Sequence, residues 1–307
     1  MRTMAWLLLA LGCQALPGAR ERVTVGVSLL GISVPVFVAK ERGLFARHGL
    51  EVTLERFETA QPLADAVLAG QVEAGGYVAY PIALLASRNA RPALLATSLV
   101  EDSEHRLSYV LARAGSPLRF PRDAAGRRIG ILPTVAYRRW LDAILRAAHV
   151  DPAQVAVMPI APPLQALTLA AGAVDFLFTN DPMATRMLAS GAARVVDDGP
   201  PCATHLGSPF EFGSFLLGMD LASRRPDVAR RLVAALDEAI LLLRTAPGAA
   251  SARLPYLRPD ERPFAARQPP TGHVTSDEAR GRLGVEIARE RALGILAFEP
   301  RISAWLP

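Results

Sequence analysis

Residues 36–52 read Val-Phe-Val-Ala-Lys-Glu-Arg-Gly-Leu-Phe-Ala-Arg-His-Gly-Leu-Glu-Val. Apolar spacing predicts a helix over Val34 to Arg42, with Ser33 as N-cap and Pro35 in its first turn. Gly43 ends it, since glycine tolerates the left-handed turn that closes a helix. Leu44 to His48 forms one more helical turn, closed by Gly49. Glu51 to Phe57 (EVTLERF) then alternates as a strand does. Upstream, residues 23–28 (VTVGVS) read as a strand and Leu30 to Ser33 as a turn. Downstream come a helix from Thr59 to Ala69, a strand over 72–77, a helix over 81–87 and a strand over 93–100. This rhythm argues for an α/β fold with a parallel sheet covered on both faces.

The rhythm then restarts. Strands are expected over 108–113, 128–132, 154–160, 174–179 and 194–197, with helices over 135–148, 164–171 and 182–189. This makes a second α/β lobe of similar size. After residues 215–218 the pattern changes to a long helix over 227–243, a proline-rich stretch and a helix over 276–296 with Ser276 as its cap.

The chain has 307 residues, 51% hydrophobic and 21% charged. That composition is globular, and at ~150 residues per domain the length implies about two domains. The net charge of +5 comes almost wholly from arginine, Lys40 being the only lysine. No basic run is long enough for a nucleic-acid patch, so no nucleic acid is expected as a partner. Arg2, the apolar run from Met4 to Leu11 and Gly12-Cys13 describe a secretory signal. Leu9-Ala10-Leu11-Gly12-Cys13 resembles a lipobox, in which Cys13 carries the lipid, although Ala10 is a less usual residue at its place. The other reading is a plain cleaved signal with an incidental cysteine. Residues 14–22 then form a linker. If Cys13 is lipidated, Cys202 is left unpaired.

Several further stretches carry a resemblance. Residues 36–52, 64–75 (ADAVLAGQVEAG), 120–131 (FPRDAAGRRIGI), 170–176 (AAGAVDF) and Arg225-Pro226-Asp227 resemble the nitrate/sulfonate/taurine/pyrimidine-precursor type of ABC-transporter substrate-binding proteins. Glu73 stands where that family commonly has Asp. The resemblance covers roughly residues 23–250. It implies a type 2 periplasmic binding protein: two Rossmann-like α/β lobes with a ligand cleft between them. Lobe 1 would be 23–105 plus 212–307, and lobe 2 would be 106–211. It also implies a small-molecule ligand, ABC permease and ATPase partners, a membrane-anchored extracytoplasmic monomer and no chemistry on the ligand.

The ligand would sit at the carboxyl ends of the strands. Candidate contacts there are Ser28, Ser33, Thr59, Gln61, Tyr77, Tyr80, Thr134, Tyr137, Asn180 and Asp181. Ser33, Thr59, Thr134 and Asp181 serve equally as N-caps. Tyr77, Tyr80, Tyr137 and Trp140 either face the cleft or pack in the core. These aromatics, and the absence of Arg or Lys from the first-lobe loops, favour an organic ligand with a flat or apolar part over nitrate. Arg138 and Arg139 oppose that. His48 is expected at the surface, and the other histidines show no metal spacing. No nucleophile elbow, phosphate loop or zinc motif is present, and no cofactor is expected. An exported lyase-like enzyme on the same fold and a sensor module are the alternatives, since fold does not decide function.

Overall fold

The computed structural model describes residues 19–79, 81–82, 93–246, 272–297 and 302–304. Its centre is β1 (Glu21–Ser28), buried from Val23 onward except for Thr24. Such a nearly continuous apolar strand needs cover on both faces. It is followed by α1 (Val34–Glu41), α2 (Leu44–Arg47), β2 (Leu50–Phe57), α3 (Ala60–Ala69), β3 (Ala74–Ala79) and β4 (Ala93–Glu101). Of the helix expected over 81–87, only residues 81–82 are described, and they are helical. α3 lies directly on β3 because Gly75 has no side chain. A Cβ there would come within 2.8 Å of Val67 Cγ2.

The second group comprises β5 (Ser108–Arg113), β6 (Arg128–Ile131), α4 (Val135–Ala147), β7 (Ala156–Pro159), α5 (Gln165–Ala170), β8 (Phe176–Asn180), α6 (Met183–Ala189) and β9 (Ala193–Val195). A short helix, α7 (Pro201–Leu206), leads to β10 (Phe210–Leu217), and α8 (Met219–Arg224) and α9 (Pro226–Thr245) follow. Beyond them lie β11 (His273–Val274), α10 (Ser276–Ala292) and β12 (Ile302–Ala304).

The strands divide into two sheets. One runs β11-β4-β10-β3-β1-β2, with β12 also on β4; the other runs β7-β6-β8-β5-β9. Neither is the all-parallel sheet expected from sequence. β10 lies between β3 and β4 and is antiparallel to both, and β5 is antiparallel to β8 and β9. The chain leaves the first sheet after β4 and returns through β10, which enters from the opposite end. β10 escaped the sequence reading because all eight of its residues are buried and it shows no alternation. The cap of α10 is also corrected. Thr275, not Ser276, forms a capping box with Glu278. Ser276 instead donates from N and Oγ to Asp237 of α9 at 2.8 and 2.6 Å. Among the described residues no helix is long and apolar enough to cross a membrane.

Two segments cross between the sheets, 102–107 and 196–209, and one carboxylate binds both. Glu101, wholly buried at the end of β4, accepts on Oε2 from Leu107 N (3.0 Å), Ser108 N (2.6 Å) and Ser108 Oγ (2.7 Å). Its Oε1 accepts from Cys202 N (2.9 Å) and Ala203 N (3.1 Å) at the start of α7. A second tie is Arg106, which grips Asp197 with both terminal nitrogens at 2.8 and 3.1 Å. Glu101→Gln places an amide N–H₂ against buried donors. Each donor left unsatisfied costs about 1–3 kcal/mol, so the variant is expected to lose about 3 kcal/mol or more, read as a lower urea midpoint at an unchanged slope.

Candidate functional site

The turn after β1 is held by hydroxyls. Ser28 Oγ and Ser33 Oγ lie 3.2 Å apart, and Ser33 Oγ donates to the Gly76 carbonyl at 3.0 Å. Ser33 therefore precedes α1 without capping it through its side chain, contrary to the expectation of an N-cap. Its hydroxyl joins the β1 turn to β3 instead. Thr59 precedes α3 and likewise makes no side-chain cap bond. Gln61 sits on α3, with its amide 3.4 Å from Asp65 of the same helix. Tyr77 is wholly buried. Its hydroxyl is 2.7 Å from Thr97 Oγ1, and its ring meets Phe215 and His273 edge-on. Tyr80 lies outside the described residues.

In the other sheet's half, Thr134 Oγ1 accepts from Tyr137 N at 3.3 Å and so caps α4. Tyr137 packs between Phe178 (4.7 Å between centroids), Trp140 (5.5 Å) and Phe212 (6.4 Å). Trp140 is fully buried in the same cluster. These two aromatics, like Tyr77, take the core alternative for their rings. The Tyr137 hydroxyl, however, is buried with no hydrogen-bond partner among the described residues, and so is Asn180 Oδ1. Tyr137 is 3% exposed and Asn180 2%. Strand residues two apart share a face, so Asn180 lies on the face of β8 that Phe178 presents to Tyr137. Thr179 points the other way, to Gln165 at 2.7 Å.

Asp181 is one of the places where the halves meet, as the packing of Tyr137 on Phe212 of β10 is another. The Asp181 carbonyl accepts from Gly31 N at 2.8 Å, and a Cβ on Gly31 would stand 3.0 Å from Asp181 Cβ. Its Oδ1 accepts from Thr185 N (3.0 Å) and Thr185 Oγ1 (2.6 Å), tying down the first turn of α6. Burial lifts its pKa. Burial also pushes up the Tyr137 phenol, and the acidic groups of Cys202, Glu101 and Asp181 add to that.

Ser28, Ser33 and Tyr77 are thus gathered on the first sheet's side, and Tyr137, Asn180 and Asp181 on the second's. Gln61 lies along its own helix, away from these contacts. Sequence reasoning missed His273. Buried on β11, its Nε2 lies 3.1 Å from the Ile32 carbonyl, and it backs the same turn. Only its distance in sequence, 241 residues from Ile32, hid it. His48 is paired with Glu238 at 3.1 Å and is not simply solvent-facing. Cys202 is free and buried, with its thiol pushed up by burial and by the charge of Glu101. That is the reverse of a nucleophilic cysteine. Among the described residues no cluster of His, Cys, Asp or Glu is placed to hold a metal ion.

The sequence model of the NMT1-like family matches residues 17–253. Among curated proteins, none matches the chain by sequence. Solved structures match over nearly the whole chain. The alkanesulfonate-binding protein SsuA of Xanthomonas axonopodis pv. citri, bound to MOPS, is 18% identical with a TM-score of 0.72, covering 92% of this chain and 98% of its own. The periplasmic aliphatic sulphonate-binding protein SsuA of Escherichia coli is 18% identical with a TM-score of 0.71, covering 94% and 92%. The periplasmic nitrate-binding protein NrtA of Synechocystis PCC 6803 is 14% identical with a TM-score of 0.64, covering 85% and 70%. The chain shares their two-lobed fold.

Tyr137→Phe removes a hydroxyl that no protein group satisfies, so its expected effect on the unliganded melting temperature is nil or a small rise. His273 carries a pH signature. Burial holds its pKa down to about 3, below the ordinary value of about 6.5. Between these values the unfolded chain binds a proton that the folded chain refuses, so the stability from neutral His273 is complete above pH ~6.5 and lost as pH falls towards 3. Glu211 and Glu286, raised to about 7 by burial, act with the opposite sign. Urea midpoints of wild type and His273→Gln from pH 7 to 4.5 separate the two. The wild type should lose more.

Proposed function

This chain belongs to the NMT1-like family, and from that premise we propose that it is an extracytoplasmic solute-binding protein of an ABC importer. It captures a small molecule between two lobes, here 23–105 with 212–307 and 106–211, and presents the closed form to a permease driven by an ATPase. The observation that carries this reading is the contact of Gly31 with Asp181 beside two orphaned, buried polar atoms, Tyr137 Oη and Asn180 Oδ1. Nine buried side-chain polar atoms lack a partner among the described residues; these two adjoin the contact, where a ligand that fills the cleft supplies the missing partners. The sulfonate- and nitrate-binding titles of the structural neighbours point the same way.

The lobes move as hinged bodies. The crossings tied at Glu101 and Arg106 act as the hinge, and the Gly31–Asp181 contact forms at closure. Ser28, Ser33, Thr59, Gln61, Tyr77, Tyr80, Thr134, Tyr137, Asn180 and Asp181 make up the proposed ligand region, with the last three closest to the ligand. The apolar segment before Cys13 directs export, and lipid on Cys13 holds a monomeric receptor at the membrane.

A thermal-shift screen of the mature chain, paired with small-angle scattering, tests the reading. A cargo at ~100 times its dissociation constant stabilises the fold by about 2.7 kcal/mol. The expected outcome is a raised melting temperature and a smaller radius of gyration, with the compound recovered intact. Recovery of a product in place of the compound would make the protein an enzyme.

A further inference from the structure

We infer that the cargo is a small organic molecule bearing an amino or ammonium group, bound through Asp181, Asn180 and Tyr137, and not a donor-free oxyanion. This rests on the receptor reading and names the chemistry of its site.

The unpaired polar atoms decide it. Asp181 spends Oδ1 on Thr185. Its Oδ2 takes no hydrogen bond among the described residues, and the residue sits at the contact between the lobes. Asn180 Oδ1 is a second acceptor without a donor, and the Tyr137 hydroxyl accepts or donates. A ligand N–H placed here meets acceptors on Asp181 and Asn180, and the one formal charge among these residues, once Asp181 ionises, is negative.

No lysine or arginine is paired with Asp181 among the described residues. Residues 28–33, 57–61, 77–79, 132–137 and 180–183 contain no lysine or arginine. Two of the basic side chains closest to the proposed cleft are committed elsewhere. Arg106 is held by Asp197 and lies over the Tyr109 ring at 5.0 Å. Arg138 pairs with Asp142 on its own helix at 3.1 Å. His273, the histidine behind the turn, stays neutral because burial disfavours its charged form. A sulfonate or nitrate in this place would meet the Asp181 carboxylate with no countercharge shown for it among the described residues. An ammonium meets an opposite charge in a partly desolvated setting, where hydrogen bonds to charged groups are strongest.

The test uses the full mature chain and matched probes on one scaffold: benzylamine, histamine and ethanolamine against benzenesulfonate, ethanesulfonate and nitrate. The expected result is a thermal shift and calorimetric binding in the amine arm alone. Affinity should rise with pH as Asp181 ionises. Asp181→Asn keeps the oxygen that Thr185 bonds, so the fold survives, while the amine Kd should weaken about tenfold or more. Tyr137→Phe, which leaves the packing intact, should weaken it less. Silence of every amine overturns the inference, as does amine binding that Asp181→Asn leaves unchanged. Binding of a donor-free anion with the amines silent also overturns it, yet leaves the receptor reading standing. That reading falls only if no compound of any class closes the lobes.

Discussion

The Glu101 carboxylate is the constraint on which the two-lobed arrangement depends. It stands at the last residue of β4, where the chain leaves one sheet for the other, and it takes five hydrogen bonds from both crossing segments. A buried carboxylate is costly unless its lone pairs are filled. Here both oxygens are filled by main-chain N–H groups and one hydroxyl that have no sheet partner of their own at the crossings. The acid and the irregular backbone satisfy one another. Because the donors come from residues 107–108 and 202–203, the two crossings behave as one unit. Arg106 and Asp197 repeat the tie a few ångströms of chain away.

The cleft follows a different economy. On the first sheet's side, polar groups are used up among themselves: Ser28 with Ser33, Ser33 with Gly76, Tyr77 with Thr97 and His273 with Ile32. The groups named on this side are paired and uncharged. On the other side, Tyr137 and Asn180 hold polar atoms that nothing satisfies, and Asp181 brings a charge. Orphaned polar atoms persist in folded proteins where binding needs them. Here they fall at the ends of β8 and α4, where the strand ends and helix starts of an α/β sheet converge.

Much of this was legible in the sequence, and the exceptions share a cause. The helix stop at Gly70 and the strands around β1 follow from local steric rules and period, and α3 does end with Gly70 in the left-handed conformation. The reading failed wherever a residue's partner is remote. Ser33 has the sequence position of a cap, yet its hydroxyl goes to Gly76, 43 residues on. Ser276 looks like the cap of its helix, yet Asp237 claims it and Thr275 takes the cap. β10 has no alternation to read because both of its neighbours and both of its faces are covered.

The sequence by itself determined the alternation of strands and helices, the α/β class and the family. These depend on periodicity, chain-stop residues and motif spacing, all of which act over a few residues. Only the tertiary structure decided which side chains are satisfied and which are left waiting. Tyr77 and Tyr137 are alike as letters, but one hydroxyl finds Thr97 and the other finds nothing. Asp181 reads as a helix cap in sequence and becomes a contact between the two sheets' halves only once Gly31 is brought to it. Hydrogen bonding is pairwise and long-range in sequence, so its balance exists only after folding.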